Sequence, residues 1–153
     1  MLQHIPHQGR MCLWDEVLDW DEERLRCRSG THRETDHPLR AHGRLGISCG
    51  IEYAAQAMAI HGALLCGAGG APSEKAAAAA SAVPAAGMLA SLRGVRAHVL
   101  RLDDIAGDLV GGIARLAGDA GSALYEFDLR SGGVLLLSGR ATVILDAGGR
   151  PPA

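Results

Sequence analysis

The stretch from Gly50 to Leu65, G-I-E-Y-A-A-Q-A-M-A-I-H-G-A-L-L, limits what this chain can fold into more than any other. It contains no Pro, and Ala, Leu, Met, Glu and Gln are strong helix formers, so it predicts one long helix. Ser48 stands before it as a candidate N-cap and Gly67 after it as a C-terminal stop. Its apolar residues run almost all the way round instead of along one stripe, the pattern of a helix buried on every side. Glu52 and Gln56 are the exceptions, four residues apart on one face. A carboxylate on a buried helix is costly unless it is paired, protonated or catalytic.

The chain has 153 residues, which suits one domain with a single sizeable core. A net charge of -2 supplies no basic field for nucleic acid and no acidic tail. Aromatic residues make up 3%, so the core must be mainly aliphatic. Residues 1–10 hold no apolar run of the signal-peptide kind, and Glu52, Gln56 and His61 interrupt the central helix as a membrane span. Cys12, Cys27, Cys49 and Cys66 form no C-x-x-C pair, which predicts buried thiols in a reducing compartment and neither disulfide nor metal site. The expectation is a cytoplasmic protein.

Residues 1–10 read as an irregular lead-in. Residues 12–20 open as a helical turn and become a strand. Leu25, Cys27 and Ser29 alternate with Arg24, Arg26 and Arg28 as a second, half-buried strand, and Asp21-Glu22-Glu23 is the turn between the two. Residues 31–46 are rich in His, Arg, Asp, Pro and Gly, a loop that delivers functional groups to the start of the helix. Residues 67–87 are nearly pure Ala and Gly and read as a surface insert. Four more strands are expected at 88–100, 109–116, 123–130 and 134–145, with Leu89, Ser91, Arg93 and Val95 on one face of the first. The domain spans 1–146, with a tail at 147–153. Strands on both sides of one long apolar helix imply an α+β fold: a single sheet of about six strands around the helix.

That order resembles the hot-dog fold. Residues 5–20, I-P-H-Q-G-R-M-C-L-W-D-E-V-L-D-W, are similar to the opening of bacterial 3-hydroxyacyl-acyl-carrier-protein dehydratases, and Ile51-Glu52-Tyr53-Ala54-Ala55-Gln56-Ala57 is similar to their central-helix motif. Leu89 to Arg96 looks like the strand that follows. The resemblance implies a single antiparallel sheet wrapped around the helix, and a dehydration that uses neither metal nor redox cofactor. In the family a His removes the α-proton of the thioester, and the helix carboxyl protonates the departing hydroxyl. A backbone N–H at the helix-entry Gly polarises the thioester carbonyl. The matching positions are Glu52 as the acid, His37 as the base and Gly46 as the carbonyl donor, with one extra residue between Gly46 and Glu52. Here His37-Pro38-Leu39 and Leu45-Gly46 replace the family's usual His-Phe-Pro and Pro-Gly. His42 is a second candidate in the same loop, and Gln56, placed with the substrate site, either orients Glu52 or caps a polar gap.

His61 and His98 read as structural histidines, His4 and His32 as surface residues, and His7 as securing the lead-in. Arg24, Arg26, Arg28, Arg33, Arg40 and Arg44 are either a solvated face or a docking patch for acyl carrier protein, which would bring the substrate on its phosphopantetheine arm. The resemblance also implies a homodimer or trimer of dimers with its site between protomers, or a heteromer with a related hot-dog subunit. Two other activities fit the same helix carboxylate: a hot-dog thioesterase with water as nucleophile, and a non-catalytic acyl-binding partner subunit. The pathway expected is fatty-acid or specialised polyene or polyketide-like synthesis.

Overall fold

A computed structural model describes residues 3–4, 12–68, 87–119 and 121–145. The lead-in contributes a two-residue strand, Gln3–His4 (β1), where an irregular segment was expected; it pairs with Glu16–Trp20 (β2). β2 pairs with Arg24–Ser29 (β3), in which Leu25, Cys27 and Ser29 point inward and the three arginines outward, as the alternation predicts. The turn between them is closed by Asp21, whose Oδ1 accepts the N–H groups of Glu23 and Arg24 at 2.8 Å each. The expected helical turn ahead of β2 is absent: residues 12–15 run as irregular backbone, and Leu13 and Trp14 are buried.

The helix Cys49–Ala68 (α1) has 20 residues. It runs through Gly67, so that residue is not the stop the sequence suggested. α1 packs on β3 and on Leu109–Gly118 (β5) and Ser122–Ser131 (β6). Gly50, Tyr53, Ala54, Ala57, Met58 and His61 are buried, an i, i+3, i+4, i+7 stripe, while Ile51, Glu52, Ala55, Gln56, Ile60 and Leu64 are half-buried. Burial on every side is therefore not seen among the described residues: the strands that pack on α1 are β3, β5 and β6, and the other positions stay half-buried.

The remaining strands are Gly87–Ala97 (β4) and Val134–Leu145 (β7). All neighbours are antiparallel, in the order β1-β2-β3-β5-β6-β7-β4. Apart from the short β1 these are the six strands expected. β4 forms the edge beside β7, and its alternation departs from the predicted one. Register shifts between Leu89 and Ser91 and between Arg93 and Arg96 mark two bulges. Leu89 and Leu92 oppose Val143 and Ala141, and Val95 lies toward Gly139, on the same face as the core; Arg93 and Arg96 oppose Arg140 and Ser138 on the outer face. Leu89, Leu92 and Val95 are 36%, 38% and 40% exposed.

The core is mainly aliphatic, with Trp14, Tyr53, Tyr125 and Phe127 as its buried aromatics. None of the four cysteines is in a disulfide; burial pushes the Cys27 thiol up to about 12, whereas Cys66 is exposed, contrary to expectation. Of the insert expected at 67–87, residues 67–68 belong to the end of α1 and Gly87 to a strand, while 69–86 lie outside the described residues, as does the tail at 147–153. No helix is long and apolar enough to cross a membrane among the described residues.

Candidate active site

Tyr53 organises the entrance of α1. The indole N–H of Trp14 donates to its carbonyl at 2.6 Å, and the two rings meet edge to face at 5.2 Å. Its hydroxyl lies 2.7 Å from Thr31 Oγ1 and 3.0 Å from His37 Nε2. Burial pushes the phenol well above its usual range.

His37 is buried and held at both ring nitrogens. The N–H of Leu39 donates to Nδ1 at 3.0 Å, so Nδ1 carries the lone pair and the neutral ring carries its proton on Nε2, facing Tyr53. Desolvation, then the Arg40 charge, lowers the His37 pKa and favours this neutral form. Proton by proton, His37 donates to Tyr53, Tyr53 to Thr31, and Thr31 to the Leu13 carbonyl at 2.7 Å; Ser29 reaches the same carbonyl at 2.6 Å. To act as a base, His37 must release the Leu39 N–H, since Nδ1 holds the ring's one lone pair and a shift of the proton from Nε2 to Nδ1 would also break that bond.

Glu52 is the neighbour of Tyr53 on the helix, on its half-buried face. Gln56 Nε2 donates to Glu52 Oε1 at 3.3 Å, and Gln56 Oε1 accepts the N–H of Leu13 at 2.9 Å. The amide is thus fixed at one end and orients the carboxylate at the other. Gly46 sits at the helix entrance. Its carbonyl accepts the Cys49 N–H at 3.0 Å, and it pairs with Arg101 between the bonds Ile47 N to Leu100 O and Leu102 N to Leu45 O. That is the non-hydrogen-bonded position of an antiparallel pair, so the N–H of Gly46 turns away from Arg101, and the Cys49 thiol stands near it.

Glu52 and Gln56 are therefore brought together, Gly46 lies at the head of the same helix, and His37 meets the helix through Tyr53. No hydrogen bond joins His37 to Glu52. His42 occupies the exposed tip of a tight turn between Ala41 and Arg44, at a φ of 54°, apart from this network.

His32, expected at the surface, is fully buried: Nε2–H donates to the Ile105 carbonyl at 2.9 Å, while Nδ1 has no hydrogen-bond partner among the described residues. Desolvation lowers its pKa. His61 is structural, as expected, between Tyr125 Oη at 2.9 Å and the Asp21 carbonyl at 2.8 Å, and His98 is exposed; His7 lies outside the described residues. Most of the first-half arginines are engaged locally: Arg26 with Asp19, Arg28 with Glu16, Arg33 with Asp108 and the Ala106 carbonyl, and Arg40 with the Glu34 and Gly43 carbonyls. This favours a solvated, self-paired face over a docking patch. Sequence reasoning missed Tyr53, Thr31 and Ser29. The one available signal was a lone hydroxyl-bearing aromatic in an otherwise apolar helix. Among the described residues no three His, Cys, Asp or Glu side chains gather as a metal site.

A single antiparallel sheet curled around one helix, with a carboxylate on that helix and a His from its entry loop alongside, defines a hot-dog protein of the dehydratase and thioesterase class. A sequence model of the ApeP-like family, described as ApeP dehydratase, matches residues 1–147, and the chain belongs to that family. In fold it is similar to the dehydratase heterocomplex ApeI:P from Xenorhabdus doucetiae, with a TM-score of 0.68 and 21% identity over 93% of this chain and 88% of that one. It is also similar to zebra fish thioesterase superfamily member 2, at 0.57 and 17% over 92% and 88%. A third is a thioesterase from Haemophilus influenzae, at 0.54 and 11% over 86% and 77%. No curated protein matches the sequence.

Proposed function

We propose that this chain removes water from 3-hydroxyacyl thioesters carried on acyl carrier protein, in an assembly with a second hot-dog subunit. The observation that carries the reading is the Gln56-tethered Glu52 carboxyl, on the helix face that one chain leaves half open. His37 takes the α-proton, the C–H electrons form the new double bond, and the C–O bond at the β-carbon breaks. Glu52 delivers the proton that lets the oxygen leave as water, and the Gly46 N–H steadies the enolate oxygen at the positive end of α1. A partner would close over the face that leaves Glu52 half-buried. The open β4 edge, with Leu89, Leu92 and Val95 beside it, suits pairing with another sheet. The Xenorhabdus neighbour is a dehydratase heterocomplex, which supports a heteromeric partner here. The reaction calls for no metal or redox group.

The occupied ring nitrogens of His37 favour a second reading, a subunit that binds acyl chains and completes a partner's site without performing the chemistry. The test is dehydration of a 3-hydroxyacyl carrier protein by the purified chain, alone and with a hot-dog dehydratase subunit, beside Glu52→Gln and His37→Ala. On the dehydratase reading both variants lose at least about a hundredfold in kcat. Loss in Glu52→Gln alone assigns the base elsewhere. A wild type that is inert in both settings, yet binds the acylated carrier, establishes the partner reading. Release of free acid in place of the enoyl product establishes the thioesterase.

A further inference from the structure

The outer face of the sheet carries its charges unevenly. On the β2–β3 side arginines meet carboxylates: Arg26 with Asp19, Arg28 with Glu16 and Asp108; on β6, Arg130 with Asp128. On the β7–β4 side, the side chains of Arg93, Arg96 and Arg140 have no ion pair or hydrogen bond among the described residues. Arg93 stands directly opposite Arg140 in the β4–β7 register, and like charges in that position destabilise a sheet. The second β4 bulge, with Gly94 at a φ of 58°, falls between Arg93 and Arg96. All three arginines line one open cleft of about 360 Å³, together with Gly94, Ser138, Gly139 and Glu126. Glu126 opposes Arg140 across β6 and β7 but does not pair with it. Three exposed cations crowded at a local cost, none of them ion-paired among the described residues, are what an anion with several acceptor oxygens requires.

We infer that Arg93, Arg96 and Arg140 form a binding site for a phosphate group. Planar guanidinium groups present paired N–H donors that match phosphate oxygens, and three converging cations exceed what one carboxylate can neutralise. Resting on the thioester reading above, the phosphate belongs to a pantetheine arm, reaching the protein either in coenzyme A or on a carrier protein. The lining glycines leave room for it. Gly94 presents open space at its missing Cβ, and Gly139 turns its own toward Phe127 and Val95 on the other face.

The experiment is titration calorimetry at low salt with inorganic pyrophosphate, 4′-phosphopantetheine, pantetheine and coenzyme A, on the wild type and on Arg93→Gln/Arg96→Gln/Arg140→Gln. Pyrophosphate should bind the wild type and lose at least about tenfold in affinity in the triple variant, with binding weakening as salt rises. 4′-Phosphopantetheine should bind at least about tenfold more tightly than pantetheine, a margin that vanishes in the triple variant. A further gain with coenzyme A assigns the nucleotide-bearing source; equal affinity assigns the carrier arm. Equal pyrophosphate binding by wild type and triple variant, or none by either, overturns the site. Pyrophosphate binding with no preference for 4′-phosphopantetheine keeps the site and overturns only its link to a pantetheine substrate, independently of any catalytic result. Relief of the Arg93–Arg140 repulsion should leave the triple variant melting no lower than the wild type. A lower melting temperature would show the arginines to be structural and would also overturn the proposal.

Discussion

At the residue scale, three buried histidines couple the stability of the fold to pH. Burial holds His32, His37 and His61 below the ordinary imidazole value of 6.5, desolvation being the largest cause in each. The unfolded chain therefore takes up protons that the folded chain refuses. Stability contributed by these groups is complete above about pH 6.5 and is lost as pH falls through the depressed folded values. Melting temperature should accordingly drop between pH 7.5 and pH 5.5. His61→Gln, which removes the imidazole between Tyr125 and Asp21, should flatten that drop while lowering stability at pH 7.5. Equal pH slopes in wild type and variant would assign the coupling to other groups. The same neutral state explains why His37 is ordered so firmly: a charged ring could not accept the Leu39 N–H at Nδ1.

At the scale of elements, Gly111 on β5 shows how a strand residue sets the position of the helix. A Cβ there would come within 2.4 Å and 2.5 Å of the Trp14 ring, which is 1% exposed and bonded through its N–H to the Tyr53 carbonyl. Gly111→Ala should cost about 1–3 kcal/mol, since a rigid indole cannot retreat as a flexible side chain can. For a domain of this size that corresponds to a melting temperature lower by several degrees. An unchanged melting curve would mean that Trp14 repacks freely. Periodicity made α1, β3 and the β5–β7 run legible, because each satisfies its own spacing over many residues. It failed on β4, where two bulges move Arg93 off the face of Leu89 and bring Leu92 onto it; nothing local in A-S-L-R-G-V-R marks both breaks. It failed too on β1, where two residues carry no period at all. In the candidate site, the shared face of Glu52 and Gln56 was legible from helical spacing. The burial of His32 and the tether of His37 to Tyr53 depend on contacts between segments distant in sequence, which no local pattern encodes.

At the scale of the whole molecule, two apolar surfaces stay partly exposed among the described residues: the half-buried flank of α1 and the inner face of β4. On the proposed reading both are covered by a second hot-dog subunit. Leu92→Glu should then abolish association with that subunit, as measured by sedimentation, and leave the melting temperature of the separate chain within about 2 °C, since Leu92 is not in its core. Unimpaired assembly in the variant would place the interface elsewhere. The bulges of β4 bear also on the interval between synthesis and assembly. A long apolar edge strand in a newly made protein invites zipping by strands of other copies, the first step toward fibrils. Breaks in register after Leu89 and after Arg93 interrupt the row of N–H and C=O groups on which a flat stranger would nucleate. The same irregularity that hides this strand from a reading of its sequence helps keep it from polymerising.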